Sequence, residues 1–264
     1  MPGAAALQYT LRANLGIFRR EYGMAFNGNL VDYSDGVDTF EGYVSLPAGV
    51  TGPRPGVLLA HDWAGLHDGM KVIADRVAAL GYVCFALDVY GKGVRGNPAG
   101  DNSAIMVPVV SNRPLLRRRL LAAFEALGRQ PAVDPNRMAI AGYCFGGLCA
   151  LDLARAAPAG LKAATSFHGL LKPALISPQA PITAKVLVLH GWSDPMAPPA
   201  DVEAFGEEFT AAGADWQLHA YGHALHAFTV EGVNNPAGGM AYQAAAARRS
   251  WASFTAFLTE AFAA

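Results

Sequence analysis

The order of apolar and polar positions along the chain predicts strands and helices in alternation. Leu30 to Tyr33 and Thr39 to Leu46 flank the turn residues Ser34-Asp35-Gly36, which reads as an antiparallel pair. After a Pro- and Gly-containing link over 47–55, the unbroken run Gly56-Val57-Leu58-Leu59-Ala60 reads as a strand buried on both faces. Val72, Ile73, Val77 and Leu80 recur at helical spacing, and Gly81 ends that helix. Tyr82 to Leu87 is the next strand. Residues 91–112 carry Gly, Asn and Pro and predict a loop with some helix, followed by a helix from Leu115 to Leu127 with arginines on its wet side. The alternation continues with strand 138–141, helix 145–156, strands 163–167 and 185–190, helix 200–212 and strand 216–221. A long C-terminal helix over 240–261 closes it. This is the pattern of an α/β fold, a doubly wound and mostly parallel sheet with an N-terminal antiparallel hairpin. In such sheets reactive groups gather beyond the carboxyl ends of the strands.

Length and charge narrow the picture. A chain of 264 residues suits one large α/β unit, expected over 26–264. Residues 1–25 read as an irregular leader, with Met24 as a candidate start. Twenty Lys+Arg against twenty-one Asp+Glu give a net charge of −1 and no overall field for nucleic acid or anionic lipid. No run of roughly 18 apolar residues predicts a membrane span, and the N-terminus lacks the pattern of a secretory signal. Three cysteines, an odd number, argue against a disulfide framework and for a reducing compartment, so a cytoplasmic protein is expected. The expected partner is a small molecule, and the expected state a monomer or homodimer.

One cysteine stands apart. Cys144 lies in Gly142-Tyr143-Cys144-Phe145-Gly146-Gly147, between a predicted strand and a predicted helix. Gly-x-Cys-x-Gly in that context is the cysteine form of the nucleophile elbow of α/β-hydrolases. The turn needs glycines so that strand and helix can pass closely. It sets the sulfur at a helix N-terminus, which favours negative charge, and aims the amide of Phe145 at an oxyanion. Cys84, inside a strand, and Cys149, on the helix, read as core residues.

A thiol nucleophile needs a base, and the base an orienting acid, in the chain order nucleophile, acid, histidine. Asp194 follows strand 185–190 in His190-Gly191-Trp192-Ser193-Asp194 and sits where the acid belongs. Of seven histidines, His168 and His190 come too early and His219 is inside a strand; His226 fits, with His223 as its competitor. No further ligand stands at metal spacing from these two, so neither metal nor cofactor is expected.

Together these residues closely resemble the dienelactone hydrolase family. The resemblance runs from about 28 to 262 through His61-Asp62-Trp63-Ala64-Gly65, Leu87-Asp88-Val89-Tyr90-Gly91, the elbow, Ser166-Phe167-His168-Gly169, Asp194 and His226-Ala227-Phe228. It implies a Cys144–His226–Asp194 triad, preferring His226 to His223, and an oxyanion hole from the amides of Phe145 and Trp63. Two departures are visible. Asp62 stands where the family usually carries a Glu that contacts and gates the nucleophile. Lys92 and Val230 stand where dienelactone hydrolases hold a substrate carboxylate with two arginines. Losing such a charge-assisted contact costs about 1.5–3 kcal/mol.

The expected activity is therefore hydrolysis of small activated esters or lactones through a thioester, with phosphotriesters as a side reaction. Lys92, Tyr90, Trp192 and Phe228 are the candidate substrate contacts, and Trp63 and Phe145 further candidates for an aromatic pocket wall. The competing readings are a non-catalytic receptor on the same fold and a thiol redox sensor.

Overall fold

Val57 and Leu59 point to one face of the sheet and Leu58 and Ala60 to the other, the two-residue alternation of a strand, and both faces are covered. The structure, a computed structural model, describes residues 26–49, 51–176 and 181–263. The expected leader over 1–25 lies outside them.

Eight strands form one sheet: β1 (Asn29–Ser34), β2 (Thr39–Ser45), β3 (Arg54–Ala60), β4 (Val83–Ala86), β5 (Val133–Tyr143), β6 (Leu161–Phe167), β7 (Lys185–Gly191) and β8 (Trp216–Tyr221). Their order is β1-β2-β4-β3-β5-β6-β7-β8. The hairpin β1–β2 is antiparallel and joins antiparallel to β4; the remaining neighbours are all parallel. Among the described residues six α-helices accompany them: α1 (Asp68–Ala78), α2 (Ser103–Val110), α3 (Arg113–Gly128), α4 (Phe145–Ala156), α5 (Pro199–Ala211) and α6 (Ala244–Ala263). Helices α1 and α6 bury Met70, Ala74, Phe254 and Leu258 against Val57, Leu59 and Leu187. Helices α3, α4 and α5 bury Leu120, Leu151 and Phe205 against Leu58, Ile140 and Val186 on the opposite face. No helix among the described residues is long and apolar enough to cross a membrane.

Two boundaries differ from the apolar pattern. In α1 the buried stripe is Met70, Ala74, Val77 and Ala78, and Leu80 is 41% exposed. Small alanines let this helix approach the sheet, and Leu80 falls beyond the helix end. The C-terminal helix begins at Ala244 rather than 240, because Met240–Ala241 (β10) pairs with Asn234–Asn235 (β9).

Helix α4 is held at its side by buried charges. Arg155 donates Nε and Nη2 to Glu208 of α5, both at 2.7 Å, and Nη1 to Asp152 at 2.9 Å. Asp152 also receives Nε of Arg113, the first residue of α3, at 2.7 Å. The side chains of Asp152 and Arg155 are each only 3% exposed. Removing one member of such a buried set costs about 3–5 kcal/mol, because the other charges stay behind unpaired. The network fixes α4 relative to α3 and α5, and so fixes the turn that precedes it.

Candidate active site

β5 stops at Tyr143 and α4 starts at Phe145, so Cys144 must reverse the chain within one residue. It does so at φ 56 and ψ −116, in the region that L-residues avoid at a cost of about 1–3 kcal/mol. Neighbouring backbone over-determines it. Cys144 N donates to Phe167 O of β6 at 3.0 Å, and its carbonyl accepts from Gly147 N at 2.9 Å. The sulfur is half-buried, at the carboxyl edge of the sheet and the N-terminus of α4. Phe145, as the first helical residue, has an amide without an acceptor inside the helix.

The sulfur faces His226 Nε2 at 3.0 Å, and His226 Nδ1 donates to Asp194 Oδ2 at 2.8 Å. The acid sits in the loop after β7, where its other oxygen accepts from Met196 N at 2.8 Å. The base is positioned by β10: His226 N donates to Gly239 O at 2.9 Å, and Ala241 N donates to His226 O at 3.1 Å. Asp194 and His226 are 3% and 2% exposed. His223 is exposed and lies outside this chain of bonds. Burial alone would lower the His226 imidazole, but the charge of the facing Cys144 and the bond to Asp194 outweigh it and raise it to about 10. Behind it, the His168 ring lies edge-on at 5.2 Å with Nε2 on Thr229 Oγ1, and burial pushes that imidazole well down.

The other candidate residues divide. Trp192 and Met196, 51% and 36% exposed, lie two residues either side of Asp194 in the loop after β7. Trp63 is half-buried in the loop after β3. Tyr90 is buried; its hydroxyl donates to Trp63 O at 3.1 Å and its ring stacks on Phe145 at 5.9 Å. Phe228 has no exposed surface and packs on His168 and Tyr221, so it is core and not a pocket wall; Phe145 is likewise fully buried. Lys92, half-exposed, pairs with Asp32 of β1, which is also half-exposed. Asp62 does not use its carboxylate on the sulfur. Its short side chain folds back to accept from Ala64 N at 2.8 Å and pairs with His67 Nε2 at 3.1 Å. Burial works against its charge, yet His67 and the Ala64 amide hold its carboxyl below the usual range.

A family model for the dienelactone hydrolase family matches residues 40–262. The chain belongs to the dienelactone hydrolase family. A putative carboxymethylenebutenolidase of Escherichia coli (strain K12) is 28% identical over 225 residues, covering 81% of this chain and 80% of its own. Among solved structures, a dienelactone hydrolase-like promiscuous phosphotriesterase from metagenomic libraries matches at 37% identity and a TM-score of 0.81, covering 89% of this chain and 98% of its own. A putative dienelactone hydrolase from Klebsiella pneumoniae matches at 25% and 0.74, over 89% and 99% of the two chains. The sheet described above is thus an α/β-hydrolase fold, and this member of the family is a hydrolase of ester bonds.

Cys84 and Cys149 lie in the core on either face of the sheet, free and buried, and burial raises both thiols. Two site features escaped the motifs. His67 has no motif around it, although its position as the N-cap of α1 is a legible signal. The two-residue strand β10 that holds His226 carries no periodicity at all.

Proposed function

We propose that this protein hydrolyses small, neutral carboxylic esters or lactones by covalent catalysis at Cys144. One observation supports the reading most: the unbroken chain Cys144 Sγ, His226 Nε2, Asp194 Oδ2 on a strained turn at the carboxyl edge of the sheet. The sulfur, its proton held on His226 Nε2, attacks the carbonyl carbon, and the Phe145 and Trp63 amides receive the oxyanion. His226 gives the proton on Nε2 to the departing alkoxide or phenoxide as its bond to carbon breaks. Water then attacks the thioester, His226 takes the water's proton, and the sulfur leaves. A preference for neutral substrates is supported by Lys92, a point charge paired with Asp32, at the first arginine position, by Val230 at the second, and by the exposed apolar side chains of Trp192 and Met196 near Asp194. Phosphotriesters are the second substrate class, on the ground that the metagenomic relative is described as a promiscuous phosphotriesterase. A cytoplasmic monomer or homodimer remains the expected setting.

The covalent step is tested by mixing the protein with an excess of an activated aryl ester and quenching during turnover. Peptide mapping should find the acyl group on Cys144 together with a burst of phenol. A binding-only receptor gives neither, and a redox sensor gives no acyl adduct.

The pH profile separates the two half-reactions. In the free enzyme the His226 proton is retained to about pH 10, so kcat/KM for the aryl ester should hold through mildly alkaline pH and fall only as pH passes that value. Acylation turns the facing sulfur into a neutral thioester and removes one of the two partners that raise His226. Its affinity for the proton then falls, which frees it to act as a base toward water. Where deacylation limits, kcat should therefore titrate at lower pH than the alkaline limb of kcat/KM. Coincident limbs, or a kcat/KM that falls near neutrality, contradict this account.

A further inference from the structure

The Trp63 amide is only a useful oxyanion donor if the peptide group carrying it faces the right way. That group is Asp62 C=O with Trp63 N–H, and in a planar trans peptide the two point in opposite directions. Whatever holds the carbonyl therefore aims the amide. His61, the residue after β3, holds it: Nδ1 lies 2.6 Å from Asp62 O, with Gly65 N adding a longer bond at 3.3 Å.

The tautomer is forced by the partners. A carbonyl can only accept, so Nδ1 carries the proton, and Nε2 accepts from Val89 N at 3.3 Å. Burial keeps the imidazole below its ordinary range and hence neutral. The ring packs at 4.8 Å on Tyr90 and 6.1 Å on Phe145, and Tyr90 holds the next carbonyl, Trp63 O. The same stack of three rings thus carries both residues whose amides are in question.

We infer that His61 is a positioning residue for the oxyanion site, its Nδ1–H fixing the Asp62–Trp63 peptide so that the Trp63 amide is preset toward the attacked carbonyl. It rests on the ester-hydrolysis reading above. It acts through the backbone and touches no reacting atom.

The test is a kinetic series on the full chain with an activated aryl ester and a trifluoromethyl ketone as the tetrahedral mimic. His61→Leu keeps bulk and removes the donor; His61→Asn returns an N–H near the place of Nδ1. Removing an oxyanion donor outright costs about 10²–10³ in kcat, so misaiming one should cost roughly 10- to 100-fold, with KM within a factor of about three. Affinity for the ketone should fall by a similar factor, and His61→Asn should recover most of both. Wild-type kcat in His61→Leu, or equal losses in Leu and Asn, overturns the inference and leaves the ester-hydrolysis reading standing. Turnover that survives loss of Cys144 overturns both. Independently of any variant, ¹⁵N NMR of the wild-type protein should find His61 protonated on Nδ1 alone; the Nε2–H tautomer overturns the inference.

Discussion

Cys144→Ala should lower kcat/KM for an activated aryl ester by about 10⁴-fold or more, to the residual level that binding and an oxyanion site supply in triad hydrolases. The fold should survive, and the reasons are local. Cys144 already carries a β-carbon at φ 56, so alanine adds no backbone strain. The sulfur is half-buried and its hydrogen-bond partner is His226, so its removal leaves no large cavity. The thermal midpoint should therefore stay within a few degrees of wild type, which separates lost chemistry from lost structure. Cys144→Ser is the sharper variant. A hydroxyl does not place a charge opposite His226, so the imidazole loses a main cause of its rise to about 10. The serine hydroxyl must then surrender its proton to His226 during attack. Its activity should fall well below wild type and shift its pH dependence toward neutrality. Turnover in Cys144→Ala within about tenfold of wild type would remove the sulfur from the mechanism.

The elbow was legible because its constraints are local. A strand, one residue and a helix must meet, and glycines at 142 and 146 flank that residue in sequence as well as in space. The doubly wound sheet was legible for the same kind of reason, since each strand and each helix writes its own period. Choosing between His223 and His226 was not open to the residues alone. Both have positive φ neighbours or positive φ themselves, and what separates them is β10, which comes fourteen residues later and pairs with one of them (240 − 226 = 14). Side-chain destinations were the weakest part. Lys92 meets Asp32 sixty residues away, and no spacing rule reports that. Phe228 lies two residues past His226, and aromatic character does not say whether a ring faces a pocket or a core. Asp62 takes the position of a family Glu that reaches the sulfur; one methylene shorter, it accepts from the Ala64 amide instead.

Gly146→Ala should cost this protein both stability and activity. A β-carbon there would lie 2.2 Å from Ala60 O and 2.6 Å from His61 O, both backbone atoms at the end of β3. Overpacking against side chains ordinarily costs about 1–3 kcal/mol, because side chains can turn aside. Here relief requires α4 to move away from β3, and α4 is held by Arg113, Glu208 and the Phe167 carbonyl. A loss above about 4 kcal/mol is expected, or on the order of 8–16 °C in thermal midpoint for a chain of this size. The fraction that folds should also be slow, because a displacement of about 1 Å at the nucleophile can cost 10²-fold. Gly128→Ala is the control. It sits at the end of α3, where an added β-carbon meets Met138 at 3.5 Å, ordinary contact distance. Alanine there should be neutral or stabilising by up to about 1 kcal/mol through the unfolded state. If the two variants melt together, close approach of α4 to β3 is not what places the sulfur, and the strained turn must be held by its own hydrogen bonds alone.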